Sequence, residues 1–213
     1  YLSLFQWNAL PKPVIKRVSA WRMGGGTARV LFALASAPAR RGAVAADCDA
    51  ANLAGACAAW RAGLIPEKPP ATLRIVSACD PSLAPKGAAV LTATLASIPF
   101  RLFDGAWTHE KRDVLRARAL AAAEAAFGPL DVLAAEVIAP PDIEEALGAT
   151  EGDLWGGEIA SDQMLDMRPG PRTGIHGLYL AGPSSAAGPL ATCASGVAAA
   201  RAVLADMHAG RLK

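Results

Sequence analysis

Strand-type runs and helical runs do not alternate one for one in this sequence, and that order limits the fold more than any single motif. Residues 27–34 (TARVLFAL), 72–78 (TLRIVSA) and 88–96 (AAVLTATLA) alternate β-branched or bulky residues with smaller ones, which predicts three short strands. The link between the last two, DPSLAPKG over 80–87, is rich in turn formers. Residues 49–62 predict an Ala-rich helix, ended by Gly63 and by Pro66, Pro69 and Pro70. Thr108 is placed to cap a long helix through Phe127, with Glu110 favourable in its first turn and Gly128-Pro129 as its stop. A strand over 131–138 and a short helix over 140–148 follow, the helix with proline at its start and glycine just past its end. The sum is an α+β chain with a mixed or antiparallel sheet. It is not a complete alternating βα nucleotide-binding domain.

Composition excludes several classes. Hydrophobic residues make up 53% and charged residues 19%, too apolar a balance for intrinsic disorder. The 49 alanines favour helix but supply little bulk for a core. A net charge of +2 gives no strong basic field for nucleic acid. No uninterrupted apolar run is long enough to predict a transmembrane helix, although peripheral contact with a membrane is not thereby removed. The first residues, YLSLFQW, lack the basic and apolar regions of a signal peptide and do not begin with Met, so the chain is expected to be processed, truncated or incomplete. The four cysteines, at 48, 57, 79 and 193, form no C-x-x-C pair, and with three histidines they do not have zinc-site spacing. They are expected to be small buried hydrophobes in a reducing compartment such as the cytoplasm.

Two stretches carry the candidate chemistry. In the first, the apolar run Leu178-Tyr-Leu-Ala181 enters a small-residue turn, G-P-S-S-A-A-G over 182–188, before an Ala-rich helix expected from about Thr192 to Met207. Free amides at a helix start, beside residues without bulk, suit a flat ligand or an electron-rich acceptor atom. The same pattern also describes a plain strand-to-helix packing turn. The second stretch, T-E-G-D-L-W-G-G-E over 150–158 followed by Asp162, Gln163, Met167, Arg168 and Pro169, reads as a tightly turned connection with solvated carboxylates. Its glycines are too irregular for a calcium loop, and nothing fixes Glu158 and Asp162 as an acid–base pair. His176 reads as a loop residue, and no Ser-His-Asp set is evident.

Taken together, these stretches resemble the C-terminal part of the phytoene desaturase-related FAD oxidoreductases, within the flavin amine oxidase superfamily. The 150–169 stretch is similar to that family's T-E-G-N-x-x-x-G-E-x-x-x-D-Q-x-x-x-M-R-P. Residues 174–182 are similar to its last strand, and Ser195-Gly-Val-Ala-Ala-Ala-Arg201 to its S-G-x-x-A-A helix. The resemblance implies a substrate-type domain over 1–150. It implies that 151–213 form the closing strand, turn and helix of an FAD-binding, Rossmann-like domain whose N-terminal half is missing. Gly182, Pro183, Ser184, Gly188, Ala191 and Thr192 become candidate contacts to FAD, and Met167, Arg168 and Pro169 candidates for the substrate pocket. The family's G-x-G-x-x-G fingerprint is absent here, so FAD would be shared with a partner chain carrying that half. Where the family has His-Pro-Gly-Gly-Gly, this chain has Ala186-Ala-Gly188-Pro189-Leu190. Two readings follow: one chain of a split FAD-dependent oxidoreductase transferring hydride to flavin, or a non-catalytic, flavoprotein-like interaction subunit of a larger complex.

Overall fold

Period-two burial along four segments builds the sheet at the centre of this fold. The strands are β1 (Ala28–Leu34), β2 (Ala43–Ala46), β3 (Ala71–Ile75), β4 (Ala89–Leu95) and β5 (Val132–Ile138), in the order β2-β3-β4-β1-β5. Every neighbouring pair is antiparallel. The computed structural model describes residue 5 and residues 10–24, 26–164, 167–186, 188 and 192–212. The chain divides into two compact units, one of Gly26–Gly152 and one that joins Tyr1–Gly25 to Asp153–Lys213. All five strands lie in the first, called here the sheet unit; the other is called the turn unit.

In the sheet unit, Val30 and Phe32 on β1, Leu73 on β3 and Leu91, Ala93 and Leu95 on β4 are fully buried on one sheet face. Helix α3 (His109–Phe127) covers that face with Leu115, Ala119, Ala122 and Ala123, spaced to share one side of the helix. The alanines, which add little bulk, are therefore useful on the buried side of α3. The Thr108 hydroxyl accepts from the Lys111 amide at 3.5 Å, and Gly128 ends the helix, as the sequence predicts.

Side chains fix α3 to its surroundings. The Arg112 guanidinium binds the Asp142 carboxylate, with one contact at 2.7 Å, and Asp142 also accepts from the Ala139 amide at 2.7 Å. Asp142 thereby closes the start of helix α4 (Pro140–Leu147), and the guanidinium holds its carboxyl below the usual carboxylate range. Arg118 donates to the carbonyls of Ile65 at 2.6 Å and Pro66 at 2.5 Å, pinning the proline-rich loop. Helix α1 (Lys12–Ser19) lies in the turn unit, and helix α2 (Ala50–Arg61) begins at Asp49, whose carboxylate accepts from the Asn52 amide at 3.0 Å.

Three details depart from the sequence reading. Strand β2 was not foreseen, because its residues AVAA hold a single β-branched side chain and pair only at the sheet edge. The 72–78 run is extended only to Ile75 and then turns through a 3₁₀ segment at Val76–Ala78. The cysteines are not buried: Cys48, Cys79 and Cys193 are exposed and Cys57 is half-buried, because all but Cys57 lie in turns or at a helix start. No described helix is long and apolar enough to cross a membrane.

Gly26 enters β1 beside the Ile98 carbonyl oxygen, which an added Cβ would meet at 1.8 Å. Backbone cannot step aside as a side chain can. Gly26→Ala is therefore expected to destabilise the chain more than a typical surface change. Leu91→Ala, at a fully buried position on the central strand, should cost about 3 kcal/mol in urea titration.

Candidate functional site

The second sequence stretch folds around a buried cation. Arg168 is 1% exposed, and its guanidinium is ringed by main-chain carbonyls. It donates to Pro183 at 2.5 Å, Gly157 at 3.1 Å, Trp155 at 3.4 Å and Gly156 at 3.5 Å. Its charged carbon lies 5.6 Å from the centre of the Trp21 ring, within cation–π range. Burial pushes this guanidinium below its ordinary value, and the Asp153 carboxylate opposes that shift. Asp153, itself 4% exposed, accepts from the Trp155 amide at 2.7 Å and the Gly157 amide at 2.9 Å. The carboxylate thus folds the turn, and the turn directs its carbonyls to the arginine. Side chains cannot replace Gly156 and Gly157. A Cβ on Gly156 would lie 2.5 Å from the Ser184 amide nitrogen, and one on Gly157 would lie 2.2 Å from Trp21 Nε1.

Two further acids of the stretch, Glu158 and Asp162, are ion-paired, and Asp162 stays solvent-exposed as the sequence reading expects. Arg22 binds Glu158 at 2.7 Å and Asp162 at 2.6 Å, so the two acids share one cation and are not an acid–base pair. The Gln163 side chain accepts from the Arg22 amide at 3.0 Å and donates to the Arg22 carbonyl at 2.8 Å, satisfying that residue's backbone as a neighbouring strand would. The reason is local geometry: the 157–163 segment runs beside 21–24, where a fixed guanidinium meets both acids.

The small-residue turn packs on the same arginine. Gly182 donates its amide to Ser195 Oγ at 3.1 Å, and its carbonyl accepts from the Ser185 hydroxyl at 2.9 Å. Pro183 is exposed, and its carbonyl is the one held by Arg168; Ser184 is half-buried against Gly156. The Gly188 amide donates to the Ser185 carbonyl at 2.9 Å. Pro169 is half-buried and its carbonyl accepts from the Ala186 amide at 2.9 Å, while exposed Met167 contributes its carbonyl to Arg17 at 2.7 Å. The structure therefore brings 167–169 together with 182–186. Ala191, Pro189 and Leu190 lie outside the described residues. Thr192 is exposed, and its hydroxyl accepts from the Ala194 amide at 3.3 Å.

Helix α5 (Ala194–His208) begins without a side-chain cap, behind Cys193 at φ 60°. The first-turn amides of Ser195 and Gly196 have no acceptor among the described residues. Among the described residues, no atom lies within 4 Å of a Cβ added at Gly182, Gly188 or Gly196. Helix-start amides without an acceptor among the described residues can accept a planar group with electron-rich edge atoms.

The run at 178–181 is not a strand. It makes one bridge, Arg172 to Tyr179, plus the Leu180 amide donating to the Pro171 carbonyl at 2.8 Å, because the turn unit has no described strand for it to join. The buried carboxylate of Asp206 takes over that positioning role. It binds Arg172 at 2.8 Å and 3.0 Å, the Tyr179 hydroxyl at 2.7 Å and Arg211 at 2.8 Å, fixing the 172–179 segment to α5. Sequence reasoning missed Asp206 and Asp153, since a lone aspartate carries no pattern. His176 contacts the Arg211 carbonyl at 2.9 Å, as a loop residue would. No serine, threonine or cysteine is hydrogen-bonded to a histidine among the described residues.

No family model matches the chain. Over 156 residues it is 31% identical to the mouse (Mus musculus) pyridine nucleotide-disulfide oxidoreductase domain-containing protein 2, covering 69% of this chain and 27% of that protein. The rat (Rattus norvegicus) counterpart is 30% identical over the same coverage. The chain therefore spans about a quarter of the length of these relatives (27%), and its sequence likeness is to proteins named as oxidoreductases. A solved oxidoreductase from Methanosarcina mazei aligns over 93% of this chain and 39% of its own, at 16% identity and a TM-score of 0.42.

The two buried charges yield separate outcomes. Arg168→Ala would leave its ring of carbonyls without a donor, and denaturant unfolding should show a loss of about 3 kcal/mol, with Arg168→Lys recovering little because one ammonium cannot span the fork. Its partners hold the Asp206 carboxyl well below the usual range, the Arg172 contact contributing most and Tyr179 next. A depressed folded-state value stabilises above the unfolded value of about 3.9 and loses that contribution as pH falls below it. Asp206→Asn should therefore lower the melting temperature at neutral pH, and the gap from wild type should narrow in acid.

Proposed function

We propose that this chain is the C-terminal portion of an FAD-dependent oxidoreductase related to the phytoene desaturases. A companion polypeptide carrying the dinucleotide fingerprint would complete the FAD site. The observation that carries this reading is the head of α5, where the amides of Ser195 and Gly196 have no acceptor among the described residues and a Cβ on Gly182, Gly188 or Gly196 would meet no described atom within 4 Å. Gly196 is the most telling of the three. It lies in the first turn of a helix, and its backbone conformation does not call for glycine. A ligand approaching that spot supplies a reason. The oxidoreductase names of the mouse and rat proteins support the same class.

The residues present fit the ring end of the cofactor. In the chain's own chemistry, Ser195 and Gly196 would hold an electron-rich edge through their amides, with the helix dipole reinforcing the hold. Gly182 and Gly188 would contribute clearance, since their amides are already bonded within the turn. Arg168 would hold the turn in place through the Pro183 carbonyl, and Met167 and Pro169 would border the same surface. Bound FAD would supply a hydride acceptor; substrate C–H or C–N bonds are the donors this reading expects. Those internal bonds of Gly182 and Gly188 also favour the second reading, an interaction subunit that kept the turn without the cofactor.

The test is to purify the chain with its companion polypeptide, add FAD, and record the visible spectrum. Yellow, flavin-loaded complex is expected, with Gly196→Val weakening FAD uptake at least tenfold while leaving assembly intact. A well-assembled complex that stays colourless would overturn the flavin reading in favour of the interaction subunit.

A further inference from the structure

Helix α3 covers one face of the five-stranded sheet; the opposite face carries a different kind of surface. There the cross-strand register sets out three rows. The first runs Thr72, Thr94, Arg29, Ile138 and the second Arg74, Thr92, Leu31, Glu136. The third runs Val90, Ala33, Ala134. Arg29 and Arg74 are exposed, and neither guanidinium has a hydrogen-bond or ion-pair partner among the described residues. They stand on interior strands, β1 and β3, on either side of β4. The one carboxylate in these rows, Glu136, is on edge strand β5, opposite Leu31 and diagonal to Arg29.

The spacing matters. Two strand steps and a two-residue offset put the arginine Cα atoms ~12 Å apart, from a strand spacing of about 4.8 Å and a rise of about 3.4 Å per residue. Two extended arginine side chains can converge across that distance on one anionic group above Thr92 and Thr94. A solvated sheet face ordinarily mixes both signs of charge. Here the centre offers two guanidiniums and threonine hydroxyls, all able to donate to an oxyanion. From that centre the surface turns apolar in one direction, through Leu31 to the Val90–Ala33–Ala134 row.

We propose that this sheet face binds a free long-chain carboxylate, its head between Arg29 and Arg74 and its hydrocarbon chain along Leu31 and Ala33. The amphiphile matches both halves of the face, where a small inorganic anion would use only the first. The inference does not depend on the flavin reading.

The probe is dodecanoate below its micelle concentration, titrated calorimetrically into the full chain. Saturable one-to-one binding is expected. Arg29→Gln with Arg74→Gln should weaken it at least tenfold, and dodecanol and acetate should each bind at least tenfold more weakly than dodecanoate. Arg61→Gln, at an exposed arginine on α2, should change nothing. Because both target side chains are exposed and unbonded, the double variant should keep the wild-type melting temperature. If it melts early, Ala33→Asp replaces it as the test, with the same expected loss. The proposal is overturned if dodecanoate does not bind, if it binds the variants as tightly as wild type, or if dodecanol binds equally well. Sedimentation with anionic phosphatidylglycerol vesicles in the absence of dodecanoate binding would also overturn it, since the surface would then be reading a membrane.

Discussion

The buried guanidinium of Arg168 is the constraint on which the candidate site depends. A cation at 1% exposure needs acceptors for its donors, and here four main-chain carbonyls from two separate stretches take its two terminal nitrogens, while Nε has no partner among the described residues. Three come from the turn that Asp153 folds, and the fourth from Pro183. One side chain therefore fixes the small-residue turn against the rest of the turn unit. A direct carboxylate partner would have used up the fork that now joins the two stretches. Asp153 instead acts at one remove, on the amides of Trp155 and Gly157.

A second buried charge does the same work at the other end of the unit. Asp206 gathers Arg172, Tyr179 and Arg211 and so holds the 172–179 segment on α5. Ser195 then joins the head of α5 to Gly182. The helix tip with its free amides is held from both sides, although the turn unit contributes no described strand. Polar contacts here replace the ladder that a sheet would have supplied. The sheet unit relies on the opposite strategy: Phe32, Leu73, Leu91 and Leu115 close a dry core, and ion pairs such as Arg112 with Asp142 lie at its margin.

Much of the sheet unit was legible in the sequence because its signals are periodic. Strand-type runs marked β1, β3, β4 and β5 to within a few residues, and Thr108, Gly128 and Gly148 punctuated the helices. β2 escaped because its three alanines favour helix and only Val44 is β-branched. The site was legible in a different way. Its glycines and acids stood out as a cluster, yet their purpose depends on partners far along the chain: Trp21 for Gly157, Arg22 for Glu158 and Asp162. Contacts spanning well over a hundred residues leave no local trace. The apolar run at 178–181 misled for the same reason, since a strand is defined by its neighbours.

Hydrogen exchange at the head of α5 tests the central claim most directly. In the complex with the companion polypeptide, amide exchange at Ser195 and Gly196 would be followed with and without FAD. The account predicts that FAD slows exchange at these two amides, while those of α3 are unchanged. Bound FAD that leaves both amides exchanging at the ligand-free rate would contradict it.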